Sequence, residues 1–329
     1  MKYRKLGKTG FDVSEVSLGT WQVGGKWGEN FDEKNAEKIL NAAIDQGVNF
    51  IDTADVYSNG LSEKSVAKVV KSRSENIYIA TKCGRRTQPH TVEAFSPEKL
   101  VGFVEDSLRN MKLETLDLIQ FHCPPSEIYD RPEYFETFDK LRQDGKIRNL
   151  GVSVEKVNEA LKALEYPNVT SVQIIFNMFR LKPAEEFFQK AANQNVGIIA
   201  RVPLASGMLT GKFNKNTNFG KEDHRNFNRN GEAFDKGETF SGIEYEKGLQ
   251  AVEKLQEIFA ARPETLTNIA LKWVLMHPEV STVIAGASRP EQALENAKAS
   301  EITDLNKHEM QKVKEVYDTY FRKEVHTQW

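Results

Sequence analysis

The stretch Asn49 to Glu63, NFIDTADVYSNGLSE, decides how the rest of the chain is read. The apolar Val48, Phe50 and Ile51 follow Gly47 and give way to Asp52, Thr53, Ala54, Asp55 and Tyr57, then to the turn residues Ser58, Asn59 and Gly60. That order describes a short buried strand running into a polar loop. Ser62 and Glu63 then open a segment in which Val66, Val69 and Val70 share one helical face, so the polar cluster lies between a strand and a helix. An Asp at a strand's C-terminal end and a Tyr five residues on can face one cleft, where a carboxylate and a phenol suit proton chemistry. As an isolated pair they would serve equally well as a loop cap and a filler.

The same alternation extends outward in both directions. Upstream, residues 3–6 and 12–16 flank the turn Gly7 to Gly10 and read as a hairpin. Val16 and Leu18 lead to Gly19, Thr20 and Trp21, and a helix over 32–46 follows, capped by Asp32 and stopped by Gly47. Downstream, strands are expected at 77–81, 116–121, 147–152, 171–176, 196–200 and 281–285. Helices are expected from 96 onward and at 132–143, 154–164, 183–193, 245–261, 266–277, 290–299 and 307–321. The stretch 212–242 shows no face at any period and reads as a lid or a disordered insertion after the seventh strand. About eight strand–helix units after a hairpin are the inventory of a (β/α)8 TIM barrel, and no linker divides the chain, so one barrel domain over 1–329 is expected. The rival doubly wound sheet would show GxGxxG after its first strand, where this chain has GTWQVGG.

Composition narrows the function classes. The 329 residues are 39% hydrophobic and 28% charged, enough for a large core, and the formal net charge of −2 gives no basic field for nucleic acid or an anionic membrane. No apolar run reaches the roughly 20 residues a membrane helix needs, and the start MKYRKLGKTG lacks the apolar core of a signal peptide, so a cytoplasmic protein is expected. Cys83 and Cys123 have no disulfide or metal-type spacing. Each follows a residue assigned to chemistry below, so strand alternation would turn both thiols away from the site, as inert structural groups.

In a barrel, functional residues come from the C-terminal ends of several strands. The second strand offers Asp52 and Tyr57, the third ends in Lys82, and the fourth ends in His122. Alone, Lys82 could be a lysine snorkelling to solvent, the lesser reading for it, and a lone His such as His122 is more often a satisfied polar residue than a catalyst. Together they place an acid, a phenol, an amine and an imidazole at three consecutive strand mouths. A buried Lys⁺ beside a phenol is expected to lower the Tyr pKa, with Asp52 keeping the lysine charged, which makes Tyr57 a proton donor at neutral pH. A metal-assisted hydrolase would need a further His or carboxylate beside Asp52 and His122, and the sequence offers none in place.

With these residues in view, the chain resembles the aldo-keto reductase family over essentially its whole length, most closely the bacterial and potassium-channel beta-subunit branch. Asp52, Thr53, Ala54, Tyr57, Ser62 and Glu63, with Lys82 and His122, are similar to that family's motif and its Asp, Tyr, Lys and His tetrad. The resemblance implies a barrel closed by the N-terminal hairpin, an NADP(H) cofactor across the C-terminal mouth, and reversible reduction of an aldehyde or ketone, a small-molecule substrate. It also implies cofactor contacts at Thr20, Trp21, Asp52, Ser153, Gln173, Pro203, Leu204, Ser206, Gly207, Lys212, Arg225, Gly286, Ser288, Arg289, Gln292, Glu295 and Asn296. Two departures stand out: Gly286, Ala287 and Gln292 replace the usual Lys-Ser pair and later Arg, and Ala67 replaces a usual Gly. Arg289, at the start of a helix with free N–H groups, is the expected reader of the 2′-phosphate. Lys212, Lys221, Arg225 and Arg229 suit the 212–242 loop to a lid over a pyrophosphate, the alternative being an insertion with no role. Trp21, Trp27, Tyr129 and Phe179 are expected to line an apolar substrate pocket. A second class, a cofactor-binding regulatory subunit with negligible turnover, shares the branch; His122 and the lack of a long N-terminal extension favour an enzyme, monomeric or weakly oligomeric.

Overall fold

In the computed structural model, which describes residues 1–25 and 30–329, the hairpin is β1 (Tyr3–Lys5) paired antiparallel with β2 (Asp12–Ser14). The next eight strands are β3 (Val16–Gly19), β4 (Phe50–Asp52), β5 (Tyr78–Cys83), β6 (Leu116–His122), β7 (Ile147–Ser153), β8 (Val169–Ile175), β9 (Gly197–Arg201) and β10 (Val280–Gly286). Each pairs in parallel with the next, and β10 pairs back with β3 through Gly286 and Gly19, so the sheet closes into a (β/α)8 barrel.

The period of two along each strand sorts side chains between two cores. Ile51, Ile79, Ile119, Phe121, Val152, Val172, Ile174, Ile198 and Val283 point outward into the layer packed by the helices. Phe50, Ala80, Leu118, Ile199 and Ile284 point inward and pack with Leu6, Phe11 and Val13 of the hairpin, which plugs the N-terminal end. Gly7 makes the plug close: with φ +49°, a Cβ there would meet the Gly197 backbone nitrogen at 2.2 Å. Two residues further along β4, β5 and β6, the inward positions are Asp52, Lys82 and Gln120, with His122 last. The barrel interior therefore changes from apolar to polar toward its C-terminal mouth.

The helices begin where cap chemistry predicts. Asp32 accepts from the Asn35 amide ahead of Glu33–Asp45, and Ser96 accepts from Lys99 ahead of Pro97–Met111, with Pro at the first position. Two helical expectations are corrected. The helix after β7 starts at Val157, not 154, because the Glu159 carboxylate accepts from the Glu155 and Lys156 amides and fixes the start there. The helix expected over 183–193 is two, Lys182–Glu186 and Phe188–Asn193, divided at Phe187.

The loop after β9 is also more built than its composition suggests. It contains a helical turn, His224–Phe227, and two tight turns, Lys236–Glu238 and Phe240–Gly242. Asn228, fully buried, braces it: its Oδ1 accepts from the amides of Ala233 and Phe234, and its Nδ2 donates to Thr239 Oγ1. Order held by side chain to backbone bonds leaves no hydrophobic period to read.

Candidate active site

Lys82 is the hub of the mouth. Its buried ammonium donates to Asp52 Oδ2 at 2.5 Å, to the Thr53 carbonyl at 2.8 Å and to the Tyr57 hydroxyl at 3.3 Å, using the three donors an ammonium has. The other Asp52 oxygen accepts from Gln120 Nε2 at 3.1 Å and Gln173 Nε2 at 2.8 Å. The buried ion pair is thus fully hydrogen-bonded, the condition under which such a pair is tolerated. Tyr57 follows β4 on a reversal in which Ser58, Asn59 and Gly60 all have positive φ. Behind it, Ser62 Oγ donates to Thr20 Oγ1 at 2.8 Å, and Glu63 accepts from Thr81 at 2.6 Å and Asn110 at 2.8 Å. Ser62 and Glu63 therefore hold the strand-to-helix junction together.

The charge states follow from burial and neighbours. Lys82 is raised despite its burial, because Asp52 and Tyr57 favour the ammonium. His122 is pushed well below its ordinary value by burial, then by the cations Arg85, Lys82 and Arg201, so its imidazole is neutral at pH 7. Its ring lies 6.0 Å from that of Tyr57, edge to face, and its buried Nδ1 has no hydrogen-bond partner. The expected lowering of the Tyr57 pKa is not found. Burial raises it by more than Lys82 lowers it, so the phenol keeps its proton at neutral pH.

A cavity of about 590 Å³ opens over this group. Tyr57, His122 and Asp52 line its floor, and Lys82 lies buried beneath. Of the expected cofactor contacts, Thr20, Trp21, Ser153, Gln173, Pro203, Leu204, Ser206, Gly207, Lys212, Arg225, Gly286, Arg289 and Gln292 line the same space. Ser288, Glu295 and Asn296 do not. Glu295 accepts from Thr265 and Lys298, and Asn296 donates to the Gly286 carbonyl, so both brace the loop before and around the helix Pro290–Ala297. Two of the amides just ahead of that helix are already engaged. Gln292 Oε1 accepts from the amides of Ser288, at 2.8 Å, and Arg289, at 3.2 Å.

Other expectations need correction. Trp21 stands on the cavity wall, its ring 6.1 Å from that of Tyr57, but Tyr129 and Phe179 are buried in the outer core away from it. Trp27 lies outside the described residues. The wall near His122 is instead ionic, made by Arg85, Arg201 and Glu238, none of which was singled out from the sequence. Gln120 was also missed, although two residues before His122 on a strand puts it on the same face. Cys83 packs in the outer core and burial raises its thiol well above the ordinary value. Cys123 has φ +48°, which breaks the strand alternation, and it sits at the mouth 3.5 Å from Arg201 Nη2, its thiol pushed up by burial to about 12.

Barrel, strand-end quartet and lined mouth together describe an oxidoreductase of one class. The chain belongs to the aldo/keto reductase family, whose model matches residues 15–318. It is 31% identical over 314 residues to the uncharacterized oxidoreductase YqkF of Bacillus subtilis (strain 168), covering 94% of each chain. It is 30% identical over 320 residues, 93% of each chain, to a probable voltage-gated potassium channel subunit beta of Arabidopsis thaliana. Among solved structures it is similar to the holo form of the aldo-keto reductase AKR11C1 from Bacillus halodurans, with a TM-score of 0.78, 28% identity and 99% of each chain covered. Among the described residues no helix is long and apolar enough to cross a membrane.

Proposed function

We propose that this protein reduces the carbonyl of a small aldehyde or ketone, reversibly, using NADPH, with Tyr57 as the proton donor. The observation that carries the reading is the fully bonded relay of Asp52, Lys82 and Tyr57 beneath the cavity. The residues fit a nicotinamide dinucleotide. Gly19, Gly207 and Gly286 present bare backbone to the cavity, and Lys212 and Arg289 place cations on its wall for phosphates, while Arg225 on the same wall is paired with Asp223. When bound, the reduced nicotinamide supplies a hydride to the carbonyl carbon.

The chain's own part is the proton and the developing charge. Lys82 donates to the phenol oxygen, so the phenol's own hydrogen is left to point elsewhere, and the cavity is the side that receives a carbonyl oxygen. As the proton leaves, the charge on Tyr57 grows next to an ammonium already in place, which needs no rearrangement. Neutral His122 is a hydrogen-bond partner that orients the carbonyl and does not compete as an acid at pH 7. Each donor aimed at a developing alkoxide contributes on the order of 3 kcal/mol.

Tyr57→Phe keeps the ring and removes the hydroxyl. We expect NADPH binding to persist, read by quenching of the nucleotide's fluorescence, while kcat falls by at least about 100-fold. Near-normal turnover in that variant would remove Tyr57 as the acid. The channel-subunit relative motivates a second reading, a nucleotide-binding regulator. Binding of NADPH with no oxidation by any of a panel of aldehydes and ketones would favour it.

A further inference from the structure

We infer that the wall formed by Arg85 and Arg201 recognises a carboxylate carried by the carbonyl substrate, so that the preferred substrates are short oxo-acids; this rests on the carbonyl-reducing reading of the site. Two guanidiniums line the cavity on the side of His122. A satisfied guanidinium in this molecule looks different from either. Arg225 forks onto Asp223 at 2.9 and 2.6 Å, and Arg262 onto Glu309 at 2.7 and 2.8 Å. Arg85, in contrast, reaches Glu155 and Glu238 only through single contacts of 3.4 Å each. Arg201 reaches the same Glu238 oxygen at 3.6 Å, the Val154 carbonyl at 3.1 Å and the Cys123 sulfur at 3.5 Å. Its Nε is buried with no partner.

Ten N–H donors stand on these two side chains, five on each. Among the described residues one Glu238 oxygen, one Glu155 oxygen, one carbonyl and one thiol face them, at lengths beyond the roughly 2.7 to 2.9 Å of a good charge-assisted bond. What the wall lacks is acceptors, and specifically a group with two oxygens able to meet a fork.

The charge balance points the same way. Burial and the neighbouring Glu238 bring the Glu155 carboxyl up to about 7, so near neutrality it offsets only part of a charge. Glu238 stays ionised, held below its ordinary value against burial by Arg201 and Arg85. His122 and His224 are both neutral, and Asp52 is spent on Lys82. Arg180 and Asp235, meeting at Trp329 behind the wall, add one charge of each sign. Positive charge is left in excess where the substrate enters. The same carboxylates do not make a metal site of the Cys123, Glu155 and Glu238 group, because both arginines already stand against them.

The test compares acids with their neutral esters on the full chain with NADPH. For 4-oxobutanoate against methyl 4-oxobutanoate, and for 5-oxopentanoate against its methyl ester, at least one acid should have a kcat/KM about 10- to 100-fold higher, the range given by one or two charge-assisted hydrogen bonds. In Arg85→Gln that ratio should fall toward one. Ratios at or below one for both wild-type pairs would overturn the inference, as would a ratio unchanged by Arg85→Gln. The wild-type comparison needs no variant to fold. Should no carbonyl compound be reduced, the reading of the site itself fails, and calorimetry with succinate in the presence of NADP⁺ decides separately. Binding by the wild type that is lost in Arg85→Gln supports the carboxylate wall, and no binding overturns it.

Discussion

The two sides of the cavity are built by different means. Asp52, Lys82, Gln120 and His122 are inward residues of paired strands, so their positions follow from the hydrogen-bond ladder of the barrel. Ser206, His224, Arg225 and Glu238 belong to the long segment after β9, where polar side chains bonded to nearby backbone do the holding. A ladder distributes its support over many bonds, whereas each contact in the loop is one of a few. Damage on the strand side should therefore be felt by the fold as a whole, and the loop side should loosen piece by piece.

The largest effect should come from breaking the strand side at its hub. Lys82→Met leaves Asp52 buried with no counter-charge, which should cost about 3 to 5 kcal/mol of stability and abolish turnover. Urea denaturation measures it, and a loss under about 1 kcal/mol would mean that the two glutamines alone can hold the carboxylate.

On the loop side, His224 gives a pH signature. Burial depresses its folded pKa to about 4 from an ordinary 6.5. Between those values the unfolded chain binds a proton that the folded chain does not, so stability falls as pH drops from 6.5 toward 4. At 1.36 kcal/mol per unit, the loss attributable to this residue is at most about 3 kcal/mol. The stability difference between wild type and His224→Asn should shrink by that order between pH 7.5 and pH 4. A difference independent of pH would show that the ring is not held neutral.

The two arginines on the cofactor side sharpen the comparison further. Arg225 is committed to Asp223, whereas Arg289 is exposed just before a helix, in a turn where Gln292 takes the Ser288 and Arg289 amides. Arg289→Ala should weaken NADPH by about 1.5 to 3 kcal/mol and leave NADH nearly unchanged. Equal effects on both dissociation constants would remove Arg289 as the reader of the 2′-phosphate.

The smallest effect expected is at Ser206, whose hydroxyl donates to the Glu238 carbonyl and accepts from the Phe240 amide, both at 3.0 Å. Ser206→Ala should loosen the loop by about 1 kcal/mol, seen as roughly five-fold faster cleavage between residues 212 and 242 in limited proteolysis. Global unfolding should barely change. Unaltered cleavage would mean that Asn228 supports the loop by itself.

The same division explains what could be read from the sequence. Period-two strands ending in Asp52, Lys82 and His122 betray themselves, because an ionisable side chain straight after an apolar run has one place to go. The barrel followed from the repetition of those units. The loop's order rests on Asn228, Asp223 and Ser206, residue types that occur in turns everywhere, so the segment looked structureless. Tyr129 and Phe179 were misplaced because aromatic character does not reveal which of two cores a residue faces. The direction of the Tyr57 shift was misjudged because a neighbouring cation is visible in the sequence, while the extent of burial opposing it is not.

The plug at the other end of the barrel bears on how the protein is made. Leu6, Phe11 and Val13 pack against Ile199 and Ile284, and β3 has its partner in β10, more than 260 positions later. During synthesis at roughly 5 to 20 residues per second, those first apolar side chains wait some tens of seconds for the strands that cover them. Until then β3 presents an unpaired edge, so the newborn chain is most open to aggregation between the emergence of its first strand and its last.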